Sequence, residues 1–570
     1  MRNVKNLFGM AVMATALVAC SSNDDLTSNG HEGNQAGAAY ASFRINLPTT
    51  SGTRATEGEP SFNGGNANEY AVNDATLLVF KKDGADYKFQ EAVELGNMEP
   101  WTKKDPADKG ITTTAKLTAK ITKAEVGENK GYYALIVLNN NSETAAKITY
   151  PTEGQTYAAW SQDEANATAN YLKYDNGFFM ANAPKFVAGA PETLVEIKNI
   201  YASKQQAENS TATTVYVERG LAKVSLASGS ADKHVDIADG NYAGDKVDIE
   251  GWTLDVTNTK TYPVHVTEGL WADTWKTTVT PAATNGATMD RFHDTKLTEF
   301  PRVYWGLDPN YSTGFASVAD CEGEFTMATK GNFKTGEEAK KAQYCLENTF
   351  DIDHMVQGQT TRVLFSAKYT PNGFAAGETF YKFGNSPKLW HAADVVAQIK
   401  AKAQEVLGEA DADKVTVTLA AEGNDMTKSG VRLVEAANIT YGTTALKPEQ
   451  VDKINAKLGF KKATSTDAAV GLSTYESGVS YYVARVKHFN ELTPWNPGDK
   501  TYDGNNANWL GRYGVLRNNW YELSVSSVSG PGYPDVPKVN PTVPDDENDQ
   551  YINVEVKILS WAMRHQSIDL

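Results

Sequence analysis

The side chains able to do chemistry in this chain are three cysteines, eight histidines and scattered acidic pairs. None stands at the spacing a reaction centre needs. The sequence has no Gly-x-Ser-x-Gly elbow, no His-Glu-x-x-His helix and no phosphate-binding glycine loop. His265, His293, His354, His391, His488 and His565 lie apart, without cysteine or carboxylate at ligand spacing, and read as surface or edge residues. Asp351-x-Asp353 and Asp545-Asp546-Glu547 could touch a cation, but solvated acidic loops are the commoner reading of such runs. Cys321 and Cys345 could form one disulfide in an exported protein, although spacing does not report their separation. The expectation is a chain with no catalytic residue, no metal and no cofactor: not an enzyme.

Two other residues carry clearer chemistry. Arg2 and Lys5 precede an apolar run from Leu7 to Val18, too short to span a bilayer as a helix. The run ends Leu17-Val18-Ala19-Cys20, which looks like a bacterial lipobox, cut before Cys20 and acylated on that thiol; an ordinary secretory peptide with a chance cysteine is the alternative. The acidic stretch Ser21 to Asp25 resembles the surface-export signal of Bacteroidota lipoproteins, or else is a polar tether. The second residue is Arg54, alone at the centre of the small-residue loop Pro48 to Pro60. Such loops are where proteases nick, and a cut between Arg54 and Ala55 would detach whatever precedes it. On local sequence alone, an uncut surface loop is the simpler reading.

Composition limits the partners. A net charge of -16 argues against nucleic acid, because phosphate binding needs clustered Lys and Arg. The 570 residues are enough for two to four domains, and the abundance of Tyr, Thr, Val and Asn leans toward β structure.

The elements follow from periodicity. Tyr40 to Leu47 alternates, with Ala41, Phe43, Ile45 and Leu47 on one face. Ala75 to Lys81, Ala115 to Ile121 and Gly131 to Asn140 read as further strands. Downstream, Lys246 to Val256, Tyr262 to Val266, Val363 to Tyr369 and Tyr481 to Val486 do so too. Short strands separated by Gly, Pro and Asn clusters indicate sandwiches. Glu218-Arg219-Gly220 interrupts two apolar strand halves and suggests a boundary. Leu389 to Leu407 and Pro448 to Leu458 carry helical stripes and are expected to pack outside the sandwich. Arg517-Asn518-Asn519 reads as a polar bend entering a strand from Trp520 to Val528, and Pro534 to Asp549 as an extended spacer. In the last strand Ile552, Val554, Val556 and Ile558 alternate with polar residues. The apolar phase then slips to Leu559, Trp561 and Met563, so a bulge or a crossing between sheets is expected at Ser560.

The lipobox, the Arg54 loop, the Arg-Asn-Asn-x-Tyr strand with its Gly-x-Gly-x-Pro end and the terminal Val-x-Val-x-Ile-x-x-Trp strand together resemble the fimbrillins of type V pili. The likeness is greatest to the major stalk subunit of the short (minor) fimbriae of Bacteroidales. It runs from Cys20 to Leu570 and is diffuse between Thr267 and Glu476. It implies an all-β chain of two tandem Greek-key, transthyretin-like sandwiches with a few helical insertions in the second. The expected divisions are 1–20 signal, 21–54 tether and first strand removed on maturation, 55–218 first sandwich, 219–534 second sandwich and 535–570 spacer and donor strand. It also implies an outer-membrane lipoprotein precursor held through lipid on Cys20, then an arginine-specific protease cutting at Arg54. The first strand, with Phe43, Ile45 and Leu47, then leaves. The last strand of another copy replaces it and yields a surface fimbrium with anchor and tip pilins. A sandwich losing an edge strand would expose apolar surface and unpaired backbone that invite this. Two rival readings are a glycan-binding surface lipoprotein, for which the 11 Trp and 27 Tyr would supply stacking platforms, and an anchor or accessory pilin that keeps its lipid.

Overall fold

The structure is a computed structural model. It describes residues 38–48, 69, 71–95, 102–103, 111–140, 147–163, 177–188, 190–267, 292, 300–311, 315, 317–350, 354–408, 412–419, 431–435, 438–462, 469–488, 510–541, 543–546 and 552–560.

The first part is built from β1 (Ala39–Pro48), β2 (Ala75–Asp83), β3 (Asp86–Glu94), β4 (Ile111–Ile121), β5 (Tyr132–Leu138), β6 (Met180–Asn182) and β7 (Thr213–Arg219). The pairing order is β3-β2-β5-β6-β7-β1-β4. Strand β7 serves both layers. Its first half, Thr213 to Tyr216, runs parallel to β1, and its second half, Val217 to Arg219, runs antiparallel to β6. The apolar run of β2 and that of β5 are buried almost throughout, as strands covered on both faces must be. They share one core with Phe43, Ile45 and Leu47 of β1.

Gly220 separates β7 from β8 (Leu221–Leu226), which lies in a different sheet. The second part adds β9 (Lys246–Asp255), β10 (Gln343–Leu346), β11 (Arg362–Thr370), β12 (Val479–Arg485), β13 (Asn519–Val528) and β14 (Ile552–Ser560). One sheet is ordered β10-β8-β13-β14 and the other contains β9-β11-β12. They pack face to face over Val224, Trp252, Phe365, Tyr482, Leu523 and Val554. The indole of Trp252 donates to the Ala339 carbonyl at 2.7 Å, which satisfies its one polar group inside the core. The chain is all-β in architecture with sandwich layers.

Between β11 and β12 the chain builds a third core. Helices α1 (Ala392–Leu407) and α2 (Pro448–Leu458) pack on short strands through Val395, Ile399, Ala403, Val451 and Ile454. Both helices end on a left-handed glycine, Gly408 at φ 72° and Gly459 at φ 77°, which only glycine adopts without strain. Most of the expected stripe holds, with Ile399 and Ala403 buried and Val406 and Leu407 packed on the same core, but its first turn differs. Ala392 is exposed, whereas Val395 is fully buried, because α1 begins three residues after Leu389, which forms a short strand. These helices have a core of their own instead of lying on the sandwich.

Two further expectations are corrected. Tyr262 to Val266 forms no strand; it is irregular backbone that sends Val264 and Val266 into the first core. The expected extended spacer, Pro534 to Asp546 where described, is irregular backbone that is pinned to the second part of the chain. Tyr533 bridges Tyr481, the Pro537 carbonyl accepts from Arg362 at 2.6 Å, Val539 is buried and Pro544 bridges Val356.

Candidate functional site at the first and last strands

Alternation places Ala39, Ala41, Phe43, Ile45 and Leu47 of β1 on the core face, and all five are completely buried. Arg44 points to solvent on the other face. The strand is paired on both sides. It is antiparallel to β4 from Ala39↔Ile121 to Leu47↔Thr113, and parallel to β7 from Phe43↔Thr213 to Asn46↔Tyr216. The Tyr40 and Tyr201 backbones exchange two hydrogen bonds of 2.8 Å, and the Thr114 hydroxyl donates to Asn46 Oδ1 at 2.7 Å. β1 is therefore an interior strand, not an edge strand. Its departure would open a slot between β7 and β4, leaving ladder groups unpaired on two sides.

β14 lies at the end of its sheet. It pairs antiparallel with β13 from Val528↔Ile552 to Asn519↔Ser560, and no described residue pairs on its other side. The register sets Val554, Val556 and Ile558 opposite Val525, Leu523 and Tyr521, all three buried, and Val554 itself is buried. The irregularity expected at Ser560 involves Trp561 and Met563 and so lies at the limit of the described residues. The ladder runs unshifted to Ser560, and the register shift falls on β13 between Val525 and Ser527. Trp561 and Met563 lie outside the described residues, as do Cys20, Arg54 and Ala55.

The thiols are not joined. Cys321 packs with Val256, Phe325 and Val539, while Cys345 sits on β10 in the second core, and both are free. Burial pushes Cys345 up to about 12 and Cys321 up to about 11, so neither is a nucleophile at neutral pH. The reading of the histidines as surface residues fails for two of them. His265 is fully buried with Nδ1 2.9 Å from Glu218 Oε1, and His488 is fully buried with Nδ1 2.9 Å from the Tyr521 hydroxyl. Asp545 and Asp546 are buried, not solvated; the Thr360 hydroxyl donates to Asp545 at 2.9 Å. Asp351, Asp353, Glu547, His293 and His565 lie outside the described residues. Among the described residues no group of His, Cys, Asp and Glu is placed to hold a metal, and no helix is long and apolar enough to cross a membrane.

Sequence reasoning missed the polar clasp at the turn from β7 to β8. Arg302 donates to Glu218 Oε2 through Nε at 2.9 Å and Nη2 at 2.6 Å, and Nη2 also reaches the Arg517 carbonyl at 2.9 Å. Arg517 pairs with Glu347. Arg219 donates to Asn518 Oδ1, and Lys223 and the Tyr344 hydroxyl hold Glu69 at 2.7 and 2.6 Å. Burial alone would raise Glu218; Arg302, then His265 and Arg517, outweigh it and hold the carboxyl down to about 2. The signal was available in Glu218-Arg219-Gly220 and Arg517-Asn518, charges set inside apolar strands, but the partners are scattered from Glu69 to Arg517. On the first sandwich an open cavity of about 660 Å³ is lined by Tyr87, Tyr133 and Tyr157 with Lys82, Lys185 and Glu192.

Residues 473–567, which include β13 and β14, match the family model described as Major fimbrial subunit protein type IV, Fimbrillin, C-terminal. No curated protein sequence matches the chain. Among solved structures, a Parabacteroides distasonis ATCC 8503 protein assigned to cell adhesion is similar at 10% identity, with 92% of this chain and 99% of that one covered and a TM-score of 0.37. The fimbrilin (fimA) of Porphyromonas gingivalis W83 is similar at 12% identity, with 92% and 99% covered and a TM-score of 0.34. The tip fimbrial protein Mfa3 of Porphyromonas gingivalis is similar at 10% identity, with 92% and 100% covered and a TM-score of 0.27.

Proposed function

We propose that this chain, whose residues 473–567 match the fimbrillin C-terminal family model, is a fimbrillin of the type V pilin class that assembles by exchanging its first strand for the last strand of another copy. As a fimbrillin it is a pilin, a subunit of cell-surface fimbriae. In the proposed cycle Cys20 carries lipid that holds the precursor at the outer membrane. An arginine-specific protease cuts between Arg54 and Ala55, and residues 21–54 leave with β1, together with the lipid-bearing Cys20. The slot between β7 and β4 then receives β14 of the next copy. Ile552, Val554, Val556 and Ile558 take the places of the alternating residues of β1, and Leu559, Trp561 and Met563 continue beyond them. Copies of the chain are the main partners, with anchor and tip pilins at the filament ends. A head-to-tail contact of this kind does not close on itself, so a filament is the product. The chemistry is assembly, and no catalytic role is assigned.

The observation that carries this reading is the seat of β1. Phe43, Ile45 and Leu47 are completely buried between two strands, and the link from β1 to β2 runs through Arg54. At the other end of the chain, a strand of similar length and alternation lies at a sheet edge. Burying each of those three side chains contributes roughly 1.5–3 kcal/mol, and each ladder hydrogen bond about 0.5–1.5 kcal/mol net. An empty slot is therefore costly, and β1 should remain seated after the cut until a donor displaces it.

The test is trypsin or an arginine-specific protease, followed by N-terminal sequencing and electron microscopy. A new terminus at Ala55 and filaments are expected. A subunit lacking Ile552 to Leu570 should remain folded and form none; ladders from that truncated chain would sink the exchange model. A second reading, glycan binding, is favoured by the tyrosine-lined cavity. It predicts sugar binding by processed chains that never form filaments. An anchor or accessory pilin would instead keep residues 21–54 and its lipid.

A further inference from the structure

We infer that the clasp around Glu218, Arg302 and Asn518 couples the slot of a subunit to that subunit's own last strand. Its residues are positioning residues for strand exchange. The inference rests on the exchange reading above.

The path is short and continuous. Thr213 to Tyr216 of β7 form one wall of the slot. Seven residues past Tyr216, Lys223 of β8 pairs with Trp520 of β13, and Trp520 pairs with Leu559 of β14. The slot wall and β8, the strand that pairs with the donor's holder β13, are thus two halves of one stretch of backbone, bent at Gly220. A bend by itself would let the halves move independently. The clasp spans it at three points. Glu218, the second-last residue of β7, is gripped by two nitrogens of Arg302, whose Nη2 also takes the Arg517 carbonyl. Arg219 donates its backbone N–H to Asn518 Oδ1 at 3.3 Å and its Nη1 at 3.1 Å. The Asn518 N–H returns to the Leu221 carbonyl at 2.7 Å. Asn518 holds a left-handed conformation at φ 58°, and the next residue, Asn519, is the one paired with Ser560 at the end of β14.

All of these side chains are buried, where such bonds are little weakened by water and their geometry is stiff. A change of occupant that shifts Thr213 to Tyr216 is therefore carried through Glu218 and Arg219 to Asn518. From there it reaches the first rungs that hold β14. In the precursor both ends are satisfied from within the chain. Replacing β1 by a donor strand loosens β14, so a subunit becomes a donor after it has been an acceptor. Growth then proceeds in one direction.

The test is hydrogen exchange of amides 552–560 in the full precursor and in chain cut after Arg54 and incubated with a synthetic peptide of residues 551–570, the peptide isotope-labelled so that its amides are read apart from those of the chain's own β14. In the natural sequence, β14 amides should exchange at least tenfold faster once the peptide has replaced β1. Asn518→Gly keeps the left-handed backbone but removes Oδ1, and it should abolish that difference. Asn518→Asp keeps the acceptor and should restore it. A merely structural Asn518 would lower protection in both states and leave their ratio unchanged. Equal exchange in the two states of the natural chain, or a tenfold difference persisting in Asn518→Gly, overturns the inference. Failure of the peptide to displace β1 at all would instead defeat the exchange reading itself, and this proposal with it.

Discussion

Glu218 shows how much a single buried charge controls here. It is satisfied by Arg302 and His265 with almost no exposure. Truncating one partner of such a pair strands the other, at a cost of about 3–5 kcal/mol. Glu218→Ala should lower the free energy of urea unfolding by about that much. Gly306 belongs to the same site, since a Cβ there would strike the His265 ring, so Gly306→Ala should destabilise in the same direction. The pH dependence follows from two groups. Glu218 is depressed to about 2 in the fold, so its contribution is complete above its ordinary value and is lost as pH falls toward 2. His488, pushed by burial and then Arg302 down to about 3, stays neutral in the fold while an unfolded chain would take up a proton. Stability should therefore already decline below the ordinary imidazole value of 6.5, across the window from there to about 3. Unfolding curves against pH check this, and His488→Gln, which keeps a polar partner for Tyr521, should flatten that limb.

At the scale of elements, β1 has one indispensable face. Phe43→Ala should cost about 3–5 kcal/mol of precursor stability, and Ile45→Val about 0.5–1.5 kcal/mol. Arg44→Ala, on the exposed face, should fall within about 0.5 kcal/mol of no effect. Denaturant titration of the three variants tests whether the strand is seated as described. Because β1 is held by ladders on both sides, cleavage alone should not release it. Native mass spectrometry of freshly cut chain should find the β1 fragment still bound. Its immediate loss in buffer would mean that the strand is held far more weakly than its burial indicates.

On the scale of the whole molecule, the part between β11 and β12 is an addition to the second sandwich. β11 and β12 are antiparallel neighbours, ending at Lys368↔Val479, and need only a hairpin between them. Phe380 and Tyr475, stacked at 4.4 Å, close the neck of the insertion and belong to the sandwich core. Replacing Tyr381 to Thr474 by a short turn should therefore leave a folded chain that still forms filaments after cleavage. Circular dichroism and electron microscopy check both halves of that expectation. The α1–α2 core would be removed as a unit, because its buried residues contact one another.

Apolar patterning, read along the chain, was enough to locate β1, β4, β9, β11, β12, β13 and β14 to within a few residues, and continuous apolar runs located β2 and β5. It also indicated all-β architecture, since a strand's inward face repeats every second residue whatever its partners are. Helix α2 was legible from Pro448 to Leu458 for the same local reason. The tertiary structure decided what periodicity cannot encode. β1 is interior because β7 turns from one sheet to the other beside it, a matter of topology. Tyr262 to Val266 alternates yet joins no ladder among the described residues, and the Val266 carbonyl instead accepts from the Leu307 N–H at 2.8 Å. Cys321 and Cys345 lie in different clusters, and His265 and His488 are buried because residues distant in sequence close over them. The clasp was the least legible feature. A charge within an apolar strand signals that something must meet it, but only the fold shows that Glu218 meets Arg302 and that Arg219 meets Asn518.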